Sequence, residues 1–280
     1  MKKYIIFIDL DKTFLIDNSV KEDTFFEQDI DYLNNLANRG HKIVFTSGRS
    51  LNVFKKFSNK IANNFYYSIC FNGGIILDEN KNIIYQKEIN KLEIVKIINT
   101  EFKSIQIENI IFETKQKVYS TNLTSQMIKE YIERVPSLQV ELLNLENLFI
   151  EDVYGVYLNF DQNLINEDTL LKNLNSKYSN YKFWFWTTIK NEKINMEINN
   201  INANKRESMI YLVQKLGISF ANIIAFGDNV NDLEMIKFAT IGVAMKNGKE
   251  KIKQAADFIS QKDNNNSGVV AFLKEFLDLK

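Results

Sequence analysis

The residues of this chain best suited to chemistry are acids at the ends of apolar runs. Asp9 and Asp11 follow residues 4–8 (YIIFI), and Asp228 and Asp232 follow residues 223–226 (IIAF). Short, nearly continuous apolar runs of this kind read as strands buried on both faces, as in a parallel sheet. In open α/β sheets, ligands bind outside the carboxyl ends of such strands. Residues i and i+2 of an extended segment point the same way, so Asp9 and Asp11 would repel one another unless a cation neutralised one of them. An acidic turn capping a helix would also account for Asp9-Leu10-Asp11, but a strand running directly into two acids at the ligand edge favours chemistry. Gly227-Asp228-Asn229-Val230-Asn231-Asp232 alone is evenly balanced, since Asn231 or Asp232 would serve as an ordinary N-cap. Together the two clusters offer four carboxylates on one sheet edge. A donor set of oxygens alone suits Mg²⁺.

Two further segments carry weaker signals. Thr46-Ser47-Gly48-Arg49-Ser50 ends a strand and opens a helix, where hydroxyls and free N–H groups receive anions. Taken alone it is an ordinary cap. Lys205 precedes a helix and is either a phosphate-neutralising cation or a solvated Lys. The rest of the composition narrows the field. One Cys (Cys70) excludes an intrachain disulfide and CxxC metal sites, and one His (His41) excludes His-cluster metal centres. Cys70 reads as a small buried hydrophobe and His41 as structural. Lys+Arg and Asp+Glu stand at 35 each, so no electrostatic footprint for nucleic acid exists. The apolar run after Met1-Lys2-Lys3 is too short for a secretory signal, and no segment reads as membrane-spanning, so a cytoplasmic protein is expected.

The elements that must position these residues follow from periodicity. Residues 4–9, 42–46 and 67–71 read as strands alternating with helices at 23–38 and 51–61, and residues 75–77 and 83–85 as a hairpin. This is a βαβαβ half of a doubly wound sheet. The same grammar returns with a helix at 204–216, strands at 223–226, 240–244 and 258–259, and helices at 232–238, 249–256 and 269–279. Between them lie helices at 92–102, 125–135 and 167–178 and strands at 105–112, 117–120, 138–143, 153–160 and 181–188. The expected fold is therefore α/β: a doubly wound, mostly parallel core formed by 1–83 and 189–280, with an α+β domain inserted at 84–188. The Asn pairs and runs at 63–64, 199–200 and 264–266 read as loops. Phe183-Trp184-Phe185-Trp186 is aromatic on both faces of a strand, so one face should pack under helices and the other look toward a site or a partner.

The ordered set DLDKT, TSGR, Lys205 and GDNVND resembles the four motifs of the haloacid dehalogenase superfamily of phosphohydrolases. It is most similar to the Cof-type branch (subclass IIB), whose large α+β cap is inserted after the third core strand. Asn72-Gly73-Gly74, Gly242-Val243-Ala244-Met245 and Ser267-Gly268-Val269 match the habit of that branch, so the resemblance covers the whole chain. It implies that Asp9 is a nucleophile forming an aspartyl-phosphate and a Mg²⁺ ligand. It implies that Asp11 is the general acid and then base, binding Mg²⁺ through its main-chain carbonyl. Ser47 (with Gly48) and Lys205 would hold the phosphoryl oxygens, Asp228 and Asp232 the metal, and Asn231 the phosphate or the substrate. Lys12 stands where Gly is common, and Ser47 where Thr is usual; a hydroxyl remains.

The expected activity is a Mg²⁺-dependent phosphatase acting on a small phosphorylated metabolite, a sugar phosphate or a phosphorylated cofactor. No nucleic acid or membrane partner is expected, and the protein would act as a monomer or homodimer. The alternatives are a phosphosugar mutase of the same superfamily, which would release no phosphate, and a regulatory ligand-binding protein with vestigial activity. A dinucleotide-binding oxidoreductase is excluded by the absence of GxGxxG after the first strand.

Overall fold

The structure is a computed structural model that describes residues 2–17, 23–61, 66–161, 166–187 and 193–278. The chain divides into two compact units. One comprises Met1–Arg49, Phe54–Gln86 and Asn204–Lys280, the other Ser50–Val53 and Lys87–Ala203.

The first unit opens with β1 (Ile5–Asp9), α1 (Glu27–Asn38), β2 (Lys42–Thr46), α2 (Leu51–Lys60, apart from its start at Leu51–Val53), β3 (Tyr66–Cys70), β4 (Ile75–Leu77) and β5 (Ile83–Gln86). Helix α1 starts at Glu27, four residues later than its spacing predicts. The preceding turn is engaged elsewhere: Asp23 takes an ion pair with Arg49, and Phe25 packs edge-on against Phe57.

The second unit follows with α3 (Lys91–Glu101), β6 (Ile107–Glu113), β7 (Lys117–Ser120), α4 (Gln126–Arg134), β8 (Gln139–Leu142), β9 (Gly155–Asp161), α5 (Glu167–Lys177), β10 (Tyr181–Thr187) and β11 (Lys193–Asn200). The chain then returns to the first unit through α6 (Lys205–Lys215), β12 (Ile223–Gly227), α7 (Leu233–Phe238), β13 (Ile241–Ala244), α8 (Glu250–Lys253), β14 (Phe258–Ile259) and α9 (Gly268–Asp278).

The described residues of the first unit form a sheet in the order β14-β13-β12-β1-β2-β3-β4-β5, parallel from β14 to β3 and antiparallel over the β4–β5 hairpin. Strands β1 and β12 are buried along their whole length, as their apolar runs require. One face of this sheet packs Ile5, Phe7, Val44 and Ala225 against Met209, Leu212 and Val213 of α6 and Met235 and Ile236 of α7. Cys70 is fully buried, and His41 is buried with its Nδ1 accepting from the Tyr4 amide, so both are structural.

The second unit carries a mixed sheet in the order β10-β11-β9-β6-β7-β8. It extends beyond the boundary at 188 read from the sequence because β11 belongs to it, paired antiparallel to β10 and β9. Asn199 and Asn200, read as a loop, lie in that strand. One face of the sheet bears Phe112, Leu158, Phe160, Met196, Ile198 and Phe183, with Phe185 packed alongside, under helices α3 and α5. On the other face Trp184 is half-buried opposite Glu197; the side chain of Trp186, residue 188 and the pair at 63–64 lie outside what is described. Among the described residues, no helix is long and apolar enough to cross a membrane.

Candidate active site

Because β12, β1 and β2 are adjacent and parallel, their carboxyl ends deliver Asp228, Asp9 and Ser47 to one edge of the sheet. In register, Ile8 lies opposite Phe226 and Asp9 opposite Thr46, so Asp228 and Ser47 follow directly beyond. Helix α6 begins at Lys205, capped by Asn204, whose side chain accepts from the Glu207 amide. The backbone of Asn204 passes so close to Gly73 (φ 123°) that a Cβ there would lie 2.5 Å from a carbonyl oxygen, so only glycine lets the helix start at this height. The result is an almost fully buried Lys205 ammonium, 2.5 Å from Asp9 Oδ1 and 2.5 Å from Asp232 Oδ1.

Asp9, Asp228 and Asp232 each offer an oxygen within 4.8 Å of the others, the one such acidic group among the described residues. Burial raises the Asp9 carboxyl well above its ordinary range; the Asp232 and Asp228 charges add to this, and Lys205 opposes it. Burial and then Asp232 push Asp228 to about 7, against Lys205 and a hydrogen bond donated by Thr13 Oγ1. Burial works against the charge on Lys205, but Asp232 and Asp9 outweigh it and leave its pKa above the usual value. Three buried carboxylates thus share one ammonium. A divalent cation would complete the balance, and the all-oxygen donor set fits Mg²⁺.

Asp232 is braced rather than open. Its Oδ2 accepts from the amides of Asp228 and Asn229, closing a capping box with Asn229, while Oδ1 is taken by Lys205. Asp232 is thus the N3 partner of a box whose N-cap is Asn229, rather than the side-chain cap that the sequence offered at Asn231 or Asp232, and the same carboxylate meets Lys205. Its carboxylate folds back over Gly227, where a Cβ would stand 2.5 Å from the Asp232 Cβ.

The structure departs from the sequence expectation at Asp11. The chain abandons extended geometry after Asp9 and turns tightly through residues 10–14, with Lys12 at φ 59°. The turn is pinned by Asn247, whose Nδ2 donates to the Lys12 carbonyl. The Asp11 carboxylate consequently does not join the other three but meets Arg49, which donates Nε to Oδ2 at 2.8 Å and Nη2 to Oδ1 at 2.5 Å. Asp11 therefore adds no carboxylate oxygen to the group of Asp9, Asp228 and Asp232.

Ser47 and Gly48 lie in a bend ahead of α2, not in its first turn. Ser47 is held on three sides: its amide donates to Ile69, its carbonyl accepts from Asn72, and its Oγ accepts from the Arg49 amide. Gly48 backs onto the Asn72 side chain, and Asn72 Oδ1 accepts from Asn231 Nδ2 at 3.1 Å. Asn72, in the left-handed region at φ 53°, is what links Ser47, Gly48 and Asn231; the sequence marked it only within Asn72-Gly73-Gly74, as part of the family resemblance and with no role at the site. Arg49 was likewise passed over. A guanidinium three residues beyond one strand end, beside an acid two residues beyond its neighbour, was the available signal.

The profile of the haloacid dehalogenase-like hydrolases matches residues 6–273. The chain is 27% identical over 290 residues to the 5-amino-6-(5-phospho-D-ribitylamino)uracil phosphatase YitU of Bacillus subtilis, covering 99% of each chain. Its structure is similar to that of TM0651 from Thermotoga maritima, with a TM-score of 0.78 at 25% identity over 98% of this chain and 97% of that one. It shares its fold with the HAD subclass IIB sugar phosphatase BT4131, with a TM-score of 0.77 at 20% identity over 98% and 99% of the two chains.

Proposed function

Because the chain belongs to the haloacid dehalogenase-like hydrolases and is a phosphatase of that family, we propose that it hydrolyses a small phosphorylated metabolite, a sugar phosphate or phosphorylated cofactor, with Mg²⁺ as cofactor. The observation that carries this reading is the buried Asp9 carboxylate, held by Lys205 between Asp228 and Asp232 at the open end of β1.

In the first step an Asp9 oxygen bonds to phosphorus as the bond from phosphorus to the leaving alcohol breaks, and Asp11 gives that alcohol its proton. In the second, a water oxygen attacks phosphorus, its proton passes to Asp11, and the aspartyl-phosphate bond breaks to free Asp9 and inorganic phosphate. Dividing the displacement in two lowers each barrier. Lys205 offsets the repulsion between an anionic nucleophile and an anionic ester, and Ser47, Gly48 and Asn231 orient the phosphoryl oxygens. Asp9, the Asp11 carbonyl and Asp228, with Asp232 behind them, would hold Mg²⁺, which when bound supplies positive charge for the transferring group. The relative named for a phosphoribitylaminouracil substrate and the sugar-phosphatase neighbour support the substrate class.

The test is phosphate release from a panel of sugar phosphates, phosphorylated cofactors and nucleotides, with Mg²⁺ or EDTA, beside Asp9→Asn. Release that requires Mg²⁺ and vanishes in the variant is expected. Turnover of a phosphosugar without phosphate release would overturn hydrolysis in favour of a mutase. Full activity in Asp9→Asn would remove Asp9 from the chemistry.

A further inference from the structure

Arg49 is placed unlike a surface arginine. Its side chain is 6% exposed, whereas the Asp11 carboxylate it grips is 55% exposed. The grip is a fork, two hydrogen bonds from Nε and Nη2 to the two carboxylate oxygens. The third corner of the guanidinium, Nη1, donates at 2.8 Å to Asp23, whose side chain is buried. The main chain of Arg49 is fixed as well, its amide on Ser47 Oγ and its carbonyl accepting from Phe71. Burying a guanidinium is costly, and a partner that is half in solvent returns little of that cost as stability. What the arrangement does supply is orientation. An exposed Asp on a turn samples several rotamers, and a planar fork seated on a second buried carboxylate selects one of them.

We propose that Arg49 is a positioning residue for the reaction: anchored on Asp23, its guanidinium holds the Asp11 carboxylate in the one orientation from which it serves the leaving-group oxygen. This rests on the reading of Asp11 as general acid and base and extends it to two residues outside the four motif aspartates. A carboxylate offers about four acceptor positions, so the two bonds of the fork do not exhaust it. Arg49 acts through Asp11 and need not touch the substrate.

The experiment compares kcat/KM for two substrates in the wild type, Arg49→Ala, Arg49→Lys, Asp23→Asn and Asp11→Asn. One substrate is p-nitrophenyl phosphate, whose leaving group departs without a proton. The other is the alkyl phosphate turned over fastest in the panel described above, whose alkoxide needs one. kcat/KM reports steps up to leaving-group departure, so it isolates the acid role. Arg49→Ala is expected to lose about 10²–10³-fold on the alkyl ester and less than about tenfold on the aryl ester, the same pattern as Asp11→Asn. KM for the alkyl ester should stay within about twofold, since the fork contributes orientation and not binding. Arg49→Lys should recover only part of the loss, because a point donor cannot span both oxygens. Asp23→Asn, which keeps the shape of the anchor, should show a smaller loss with the same leaving-group pattern. Equal losses on both esters, or a leaving-group pattern in Asp11→Asn that is absent from both Arg49→Ala and Asp23→Asn, would reduce Arg49 to a structural role. If Asp11→Asn itself treats the two esters alike, the acid role of Asp11 fails, and the positioning role falls with it.

Discussion

At the scale of single residues, the site is assembled from groups that would be unfavourable anywhere else. Gly227 illustrates the steric side. A methyl group there would overlap Asp232, which folds back to cap its own loop and meet Lys205. Gly227→Ala should therefore cost about 1–3 kcal/mol of stability and at least tenfold in turnover, read from urea unfolding and from phosphate release. Wild-type values in both would mean that the Asp232 brace is dispensable.

Glu113, on the second sheet, illustrates the electrostatic side. Burial raises its carboxyl from 4.5 to about 7, against hydrogen bonds from Tyr157, Ser50 and Tyr131. The folded state then holds a proton that the unfolded chain gives up above about 4.5. This contribution to stability is fully present below that pH and is lost as pH rises to about 7, by roughly 3 kcal/mol in all. Glu113→Gln lacks this titration. The stability of wild type minus variant should fall between pH 4.5 and 7.5 in urea titrations, and a constant difference would show that Glu113 keeps an ordinary pKa.

At the scale of elements, most of the architecture was legible, and the exceptions share a cause. The apolar runs ending in acids located β1 and β12, and with them the sheet edge that collects Asp9, Ser47 and Asp228. Strand β11 escaped notice because Asn195, Glu197 and Asn199 alternate with its apolar residues, and Asn-rich sequence argues for a loop, although these polar side chains are buried too. The alternation of Ile194, Met196 and Ile198 was nevertheless present, and all three are buried in the structure. The Arg49–Asp11 pair was legible only as a guanidinium and an acid just beyond neighbouring strand ends; that they meet depends on backbone angles such as the positive φ of Lys12, which spacing alone does not disclose. Since Met196 is fully buried in β11, which pairs with β9, Met196→Ala should destabilise that sheet by about 2–5 kcal/mol. Amide exchange in β9 and β11 should accelerate in the variant while β1 and β12 keep their protection; unchanged exchange in β9 would contradict the pairing.

At the scale of the whole molecule, one buried ammonium set against three buried carboxylates predicts that the fold itself responds to cations. A ligand that binds only the native state raises stability by about 2.7 kcal/mol at a hundredfold excess over its dissociation constant. Millimolar Mg²⁺ should raise the unfolding temperature in differential scanning calorimetry, and Asp228→Asn should abolish most of that rise. An equal shift in the variant would place the cation elsewhere.

The pairing of the first strand with a strand made near the end also governs how the protein comes into being. Lys205 leaves the ribosome 196 residues after Asp9, a delay of roughly 10–40 s at ordinary elongation rates. Throughout it β1 lacks its neighbour β12 and Asp9 lacks the Lys205 ammonium. The inserted sheet, by contrast, is complete in sequence before Lys205 emerges. The part of the molecule made in the middle is thus free to finish first, and the catalytic edge, begun with the earliest residues, closes last.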